Sequence, residues 1–230
     1  MYRILIVSTA VALSLSTSHA PAQAQAGTSS RSGPMAFDVA GVKLGASPAE
    51  VKAALQRAGY VIDYLGTAKT LEQETRFEAG QRLGRKPQWP KDAGVSNIES
   101  HGPHQESASI HFIQQPGGSA VSSITVHVPG SAMSQGAFRS QVLAKYGKPD
   151  ASHFQGAEMV WCAAEAHAVC GRSFVASGHL DTDYPKLSVG SGANGGNIDL
   201  QIGQLAFDQA DRDKEAAIER LAPKTLHGAF

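Results

Sequence analysis

FDVAGVKLGASPAEVKAALQRAGY, residues Phe37–Tyr60, is the stretch whose reading decides the fold. It spells a short strand, a tight turn and a capped helix. Ser47 stands at the N-cap, Pro48 at the first helical position where a missing N–H costs nothing, and Glu50 three residues on, where it can reach back to the cap. Val51, Ala54, Leu55 and Ala58 then share one helical face, Gly59 is placed for a left-handed C′ residue, and Tyr60 folds back on the last turn. The helix has a start, a buried face and a stop. It carries no residue set that does chemistry.

Outward from that stretch, residues 1–26 read as a signal peptide. Arg3 supplies the positive end and Ile4–Leu15 the apolar core. Ala22-Gln23-Ala24 and Ala24-Gln25-Ala26 each offer a small-x-small cleavage site. A membrane span needs about 20 apolar residues, and this run is interrupted by Ser14, Ser16, Thr17, Ser18 and His19, so removal is favoured over a retained anchor. No cysteine lies near the cleavage sites to take a lipid. The expected product is exported to the periplasm or secreted, with no membrane anchor. Residues 27–36 form a small, polar lead-in. What remains is enough chain for one ample core or two small modules.

Lys plus Arg total 20 and Asp plus Glu total 20, so there is no basic field for nucleic acid or anionic lipid. The two cysteines, Cys162 and Cys170 in WCAAEAHAVC, are spaced for a structural disulfide in an oxidising compartment, and not as the C-x-x-C of a redox centre. Their flanks suggest strands, which would place the bridge across a hairpin, with Trp161 packed beside it.

Further along, Tyr60–Leu65 reads as a strand, Thr70–Leu83 as a helix on Leu71, Phe77 and Leu83, and 85–94 as a loop around Pro87, Trp89 and Pro90. In Ala108–Ile113 and Ser123–Val128 the even positions are apolar and the odd ones mostly polar, the pattern of one hairpin lying on a core. From Ser134 the opening pattern returns: Phe138 and Val142 stand where Val51 and Leu55 stand after Ser47, and Gly147 and Pro149 end the helix. Strands follow at Glu158–Cys162, Ala168–Phe174, Lys186–Gly190 and Asn197–Ile202, then a helix Gln209–Leu221 capped by Asp208. The expected fold class is α+β, antiparallel sheet with helices on one face. It is arranged as two related helix-plus-meander units, 37–130 and 131–230, each with its own sheet or sharing one.

The elements V-x-L-G-x-S-P-A-E-V-x-x-x-L-x-x-x-G-Y, from Val42 to Tyr60, and L-x-K-Y-G-K-P, from Leu143 to Pro149, resemble the helix openings of small exported α+β modules. That group includes the β-lactamase-inhibitor-protein-like and BamE/SmpA-like domains. The resemblance implies a module that binds other proteins or supports outer-membrane assembly. The chain departs from it in lacking a lipobox cysteine, and no inhibitor-contact residue matches by position.

Four histidines carry the strongest chemical suggestion. His101 and His104 sit three apart beside Glu106. His111 and His127 share the outward parity of the hairpin, so a suitable register would set them opposite one another. Imidazole and carboxylate are ligands for zinc or copper. Exposed histidines on a polar face explain the same pattern, and neither a general base nor an open coordination site can be assigned. Gly190–Gly195 matches G-x-G-x-x-G, but the alternating Asn197–Ile202 follows it instead of the helix a dinucleotide site requires, so it reads as a glycine-rich hairpin turn. Asp181 and Asp183 in HLDTDYP lack the further oxygen ligands of a calcium loop, and no G-x-S-x-G elbow exists for a hydrolase. Trp89, an aromatic on a proline-rich loop, is the candidate contact residue.

The sequence therefore leads to an exported protein with no catalytic residues or cofactor assigned, expected to bind a protein or cell-envelope component through the sheet face or the Trp89 loop. The alternative is a metal-binding protein or metal-dependent hydrolase built on the histidines.

Overall fold

Ser47 caps the first helix, α1 (Pro48–Arg57), in the reciprocal way its spacing predicts. The Ser47 N–H donates to Glu50 Oε2 at 2.7 Å and the Glu50 N–H to Ser47 Oγ at 3.4 Å. Gly59 takes φ 81°, and the Tyr60 N–H closes the end on the Leu55 carbonyl at 2.9 Å. Ahead of it, β1 (Asp38–Val39) and β2 (Val42–Lys43) form a miniature antiparallel ribbon. Its turn places Ala40 and Gly41 both at positive φ. The structure is a computed structural model and describes residues 33–166, 170 and 183–223. The signal-peptide reading and most of the lead-in lie outside those residues.

Eight strands make one antiparallel sheet. They are β3 (Val61–Ala68), β4 (Gly94–His101), β5 (Ser107–Gln115), β6 (Gly118–Pro129), β7 (Ala151–His153), β8 (Glu158–Cys162), β9 (Lys186–Gly192) and β10 (Gly195–Gln201). Their order, β3-β4-β5-β6-β10-β9-β8-β7, reads as two four-stranded meanders placed back to back. The two meet at their last strands, where Val126 of β6 lies opposite Ile198 of β10. Both meanders thus share a single sheet. With helices α2 (Leu71–Arg82), α3 (Gln135–Tyr146) and α4 (Gln204–Leu221), the fold is α+β.

The core lies on one face of that sheet. Val51 and Leu55 of α1, and Phe138 and Val142 of α3, are buried in the same apolar cluster as Ile98, Ile110, Ile124, Leu187 and Leu200. The cap-relative matches read from the sequence are therefore buried alike. Gly196 lets α3 come close, because a Cβ there would overlap the Phe138 ring. The other two helices pack on each other. The α2–α4 pair carries its own small cluster of Ala79, Ile218 and Ala222 and is joined by ion pairs, Arg82 with Glu215 at 2.7 Å and Lys214 with Glu78 at 2.7 Å.

Several sequence expectations need correction. The Cys162–Cys170 disulfide forms, with Cα atoms 6.0 Å apart, but not across a hairpin. Cys162 ends β8, a 3-10 turn at Ala164–Ala166 follows, and the Cys170 N–H bonds the Ala166 carbonyl at 2.9 Å. Trp161 is not beside the disulfide either, because successive strand residues face opposite ways. Trp161 enters the main core against Tyr146, ring centroids 5.9 Å apart, while Cys162 packs with Val160 and Ala166 on the other side. The last helix starts at Gln204 after Gly203, not at Asp208. A Cβ at Gly203 would overlap the Asp183 carbonyl, so local crowding chooses the glycine. Strands β4 and β7 were not anticipated. The expected strand Ala168–Phe174 falls almost wholly outside the described residues, as does Asp181.

Candidate functional site: the open sheet face

Alternation along each strand leaves the second sheet face polar, and the register arranges its side chains in rows. One row runs Tyr64, Glu99, Ser109, Thr125, Asp199, Ser188 from β3 to β9. The next runs Asn97, His111, Ser123, Gln201, Lys186. A third runs Val61, His101, Ser107, His127, Asn197. Every one of these side chains keeps at least partial exposure. At the β3 edge the rows end on two apolar groups, Tyr64 at 58% and Val61 at 55% exposed.

Hydrogen bonds within the rows fix donors and acceptors. The Ser109 hydroxyl donates to Glu99 Oε1 at 2.9 Å and lies 3.3 Å from His111 Nε2, and Asn97 Nδ2 donates to the same Glu99 oxygen at 3.0 Å. This is a carboxylate–hydroxyl–imidazole order. A nucleophilic relay needs the imidazole in the middle, taking the hydroxyl proton while the carboxylate orients it. His127 Nδ1 is 2.8 Å from Asn197 Oδ1, an acceptor to which Nδ1–H donates. His101 Nδ1 sits 2.8 Å from both Asp63 oxygens.

The four candidate histidines separate. The β5–β6 ladder has the even-sum register that puts His111 and His127 on one face, but His111 is opposite Ser123 and His127 opposite Ser107. They are four residues, or about 13 Å, apart along the strands. His101 and His127 share a row on alternate strands, about 9.5 Å apart. His104 lies on the other side of the sheet, in the β4–β5 turn beside Glu106. Zinc holds its nitrogen ligands at about 2 Å, and among the described residues no group of three or more His, Cys, Asp or Glu side chains is placed to hold a metal.

Trp89 is 64% exposed, with one ring face stacked on Phe77 at 3.7 Å between centroids and Lys69 Nζ 5.9 Å from the ring centre. It is anchored below and open above. The G-x-G-x-x-G segment is the β9–β10 turn, where Gly192 pairs with Gly195 around Ala193–Asn194, as its alternating sequel indicates. The exposed Tyr64 was missed in the sequence because a register shift between Ile62 and Tyr64 reverses the parity of β3 there. No helix among the described residues is long and apolar enough to cross a membrane. The chain matches no protein-family model, no curated protein and no solved structure.

Proposed function

We propose that this is an exported, non-catalytic binding protein whose open sheet face engages a protein or cell-envelope component in the periplasm. The observation that carries the reading is the face itself: three cross-strand rows of partly exposed donors and acceptors, ending at the β3 edge on Tyr64 and Val61. Aromatic anchors beside a hydrogen-bonding surface are the composition that recognition surfaces favour. The disulfide agrees with an oxidising compartment. Trp89 offers a second contact point at the end of the sheet.

Site-resolved photocrosslinking tests the reading. A photoreactive residue at Thr125 or His111 is expected to give a discrete adduct in an envelope fraction, unchanged by chelator, while the same residue at the exposed Asp211 of α4 gives none. Equal labelling from all three positions would overturn the reading, and loss on chelation would return weight to the histidines. Amino-terminal sequencing of the exported protein is expected to begin at Gly27 or Gln25.

A further inference from the structure

On the opposite side of the sheet a cleft of about 450 Å³ opens between α3, the β1–β2 ribbon and the β4–β5 turn. It lies over the seam where the two meanders join. Val126, Val128 and Ile198 form its floor, and Met133, Phe138 and Val142 its wall. Its size is that of small-ligand sites, which are typically apolar with a few fixed polar groups.

The polar groups at its mouth are held in place. Gly102 is buried and admits the Glu106 side chain against the backbone, where any Cβ would overlap the carboxylate. Glu106 Oε2 then accepts the His104 N–H at 2.8 Å, and the Gly102 N–H donates to the Glu106 carbonyl at 2.7 Å. The turn is closed by Gln105 at φ 67°. Across the mouth, Lys145 is already paired with Asp38 at 2.9 Å, and the Tyr146 hydroxyl donates to the Asp38 carbonyl at 2.8 Å. Glu106 is thus the one formally charged group lining the cleft without an opposite charge among the described residues. Tyr60 lines the same cleft as Glu106, and burial first, then the Glu106 charge, push its phenol up to about 12.

We infer that the cleft binds a small amphiphile with an apolar body of one or two rings, or a short alkyl chain, and a single protonated amine paired with Glu106. An apolar floor selects the body. An unneutralised carboxylate, fixed before the ligand arrives, selects a cation over an anion. This site is independent of the open sheet face, and its failure would leave that reading untouched.

Three probes that share one naphthyl ring system and differ in the charge of the head group test it by NMR shift titration on the purified protein: 1-naphthylmethylammonium, 1-naphthylmethanol and 1-naphthylacetate. The ammonium is expected to bind with a Kd of about 0.1–1 mM, about tenfold tighter than the carboxylate, with shifts centred on Val128, Val142 and Ile198. Glu106→Gln is expected to abolish the charge preference while keeping the alcohol. Ala132→Trp and, separately, Gln141→Trp, both exposed at the rim, are expected to block all three probes with the thermal midpoint unchanged. No saturable shift with any probe, equal or tighter binding of the carboxylate, or a charge preference that survives Glu106→Gln would overturn the assignment.

Discussion

The two meanders are built to one plan but held by different means. In the first, the strands run 8, 8, 9 and 12 residues; in the second they run 3, 5, 7 and 7. Long ladders satisfy most backbone groups in the first half and bury a continuous apolar row. The second half has less ladder, and it is there that the disulfide and the buried Trp161 occur. The helices differ in the same sense. Glu50 completes a capping box on α1, whereas α3 has Ala137 in the equivalent position and only the Ser134 hydroxyl to cap it. A shorter sheet with a weaker cap calls for a covalent tie and a large aromatic core residue.

The comparison breaks hardest at Phe138. Phe138→Ala is expected to cost about 3–5 kcal/mol in denaturant unfolding, because it empties the contact that Gly196 was shaped to admit. A loss under 1 kcal/mol would mean that α3 is not the second half's counterpart of α1. Replacing both cysteines by serine comes next, at about 2–3 kcal/mol on the chain-entropy account of a short loop. Hydrogen exchange should then speed up in β7 and β8 and leave β4–β6 protected. Uniform acceleration would show that the staple serves the whole sheet.

Each helix end also packs a half-buried tyrosine on the core, Tyr60 after α1 and Tyr146 at the end of α3. Burial pushes both above the ordinary value of 10, Tyr60 to about 12 and Tyr146 further. A raised folded pKa means stability that is whole below pH 10 and lost as pH climbs through the folded values. Alkaline unfolding should therefore steepen above pH 10, and Tyr60→Phe should remove the part that is complete near pH 12. The smallest effect sharpens the comparison by transplant: Ala137→Glu gives α3 the box that α1 has and should add about 0.5 kcal/mol at neutral pH. On α1, the hydrogen bonds from the Ser47 backbone and hydroxyl hold the Glu50 carboxyl below its ordinary value. The contribution of that box is present above pH 4.5 and lost as pH falls through the folded value, which a stability profile of Glu50→Gln should show by its flatness.

What the sequence disclosed follows the same line. Caps and alternation are local, so Ser47 and Ser134 announce their helices, and the even positions of β5 and β6 announce their face. Strand β4, GVSNIESH, was silent because Ile98 is its only fully buried large apolar side chain and its register partners supply the rest of the pattern. Strand β7 has three residues, too few for any period. The start of α4 depends on how closely Gly203 approaches Asp183, a contact between distant segments that no local rule contains. His111 and His127 were legible as a pair by parity, but their separation depended on register, which sets His127 four residues, or two rows, from where a facing pair would need it. The cleft was invisible for the same reason: its floor comes from β6 and β10 and its carboxylate from a turn between β4 and β5.

The strand order also sets a schedule. Hairpins with short loops close quickly, so β4 to β6 can zip up early, ahead of β3, which α2 separates from β4. The outer edge of β6, twelve residues long, then has no partner until β10, the last strand among the described residues, arrives. An unpaired edge invites pairing with other chains. The interval before Gly195–Gln201 docks is therefore the moment at which this chain is most open to pairing with another, and the half-formed sheet is the species a chaperone would meet.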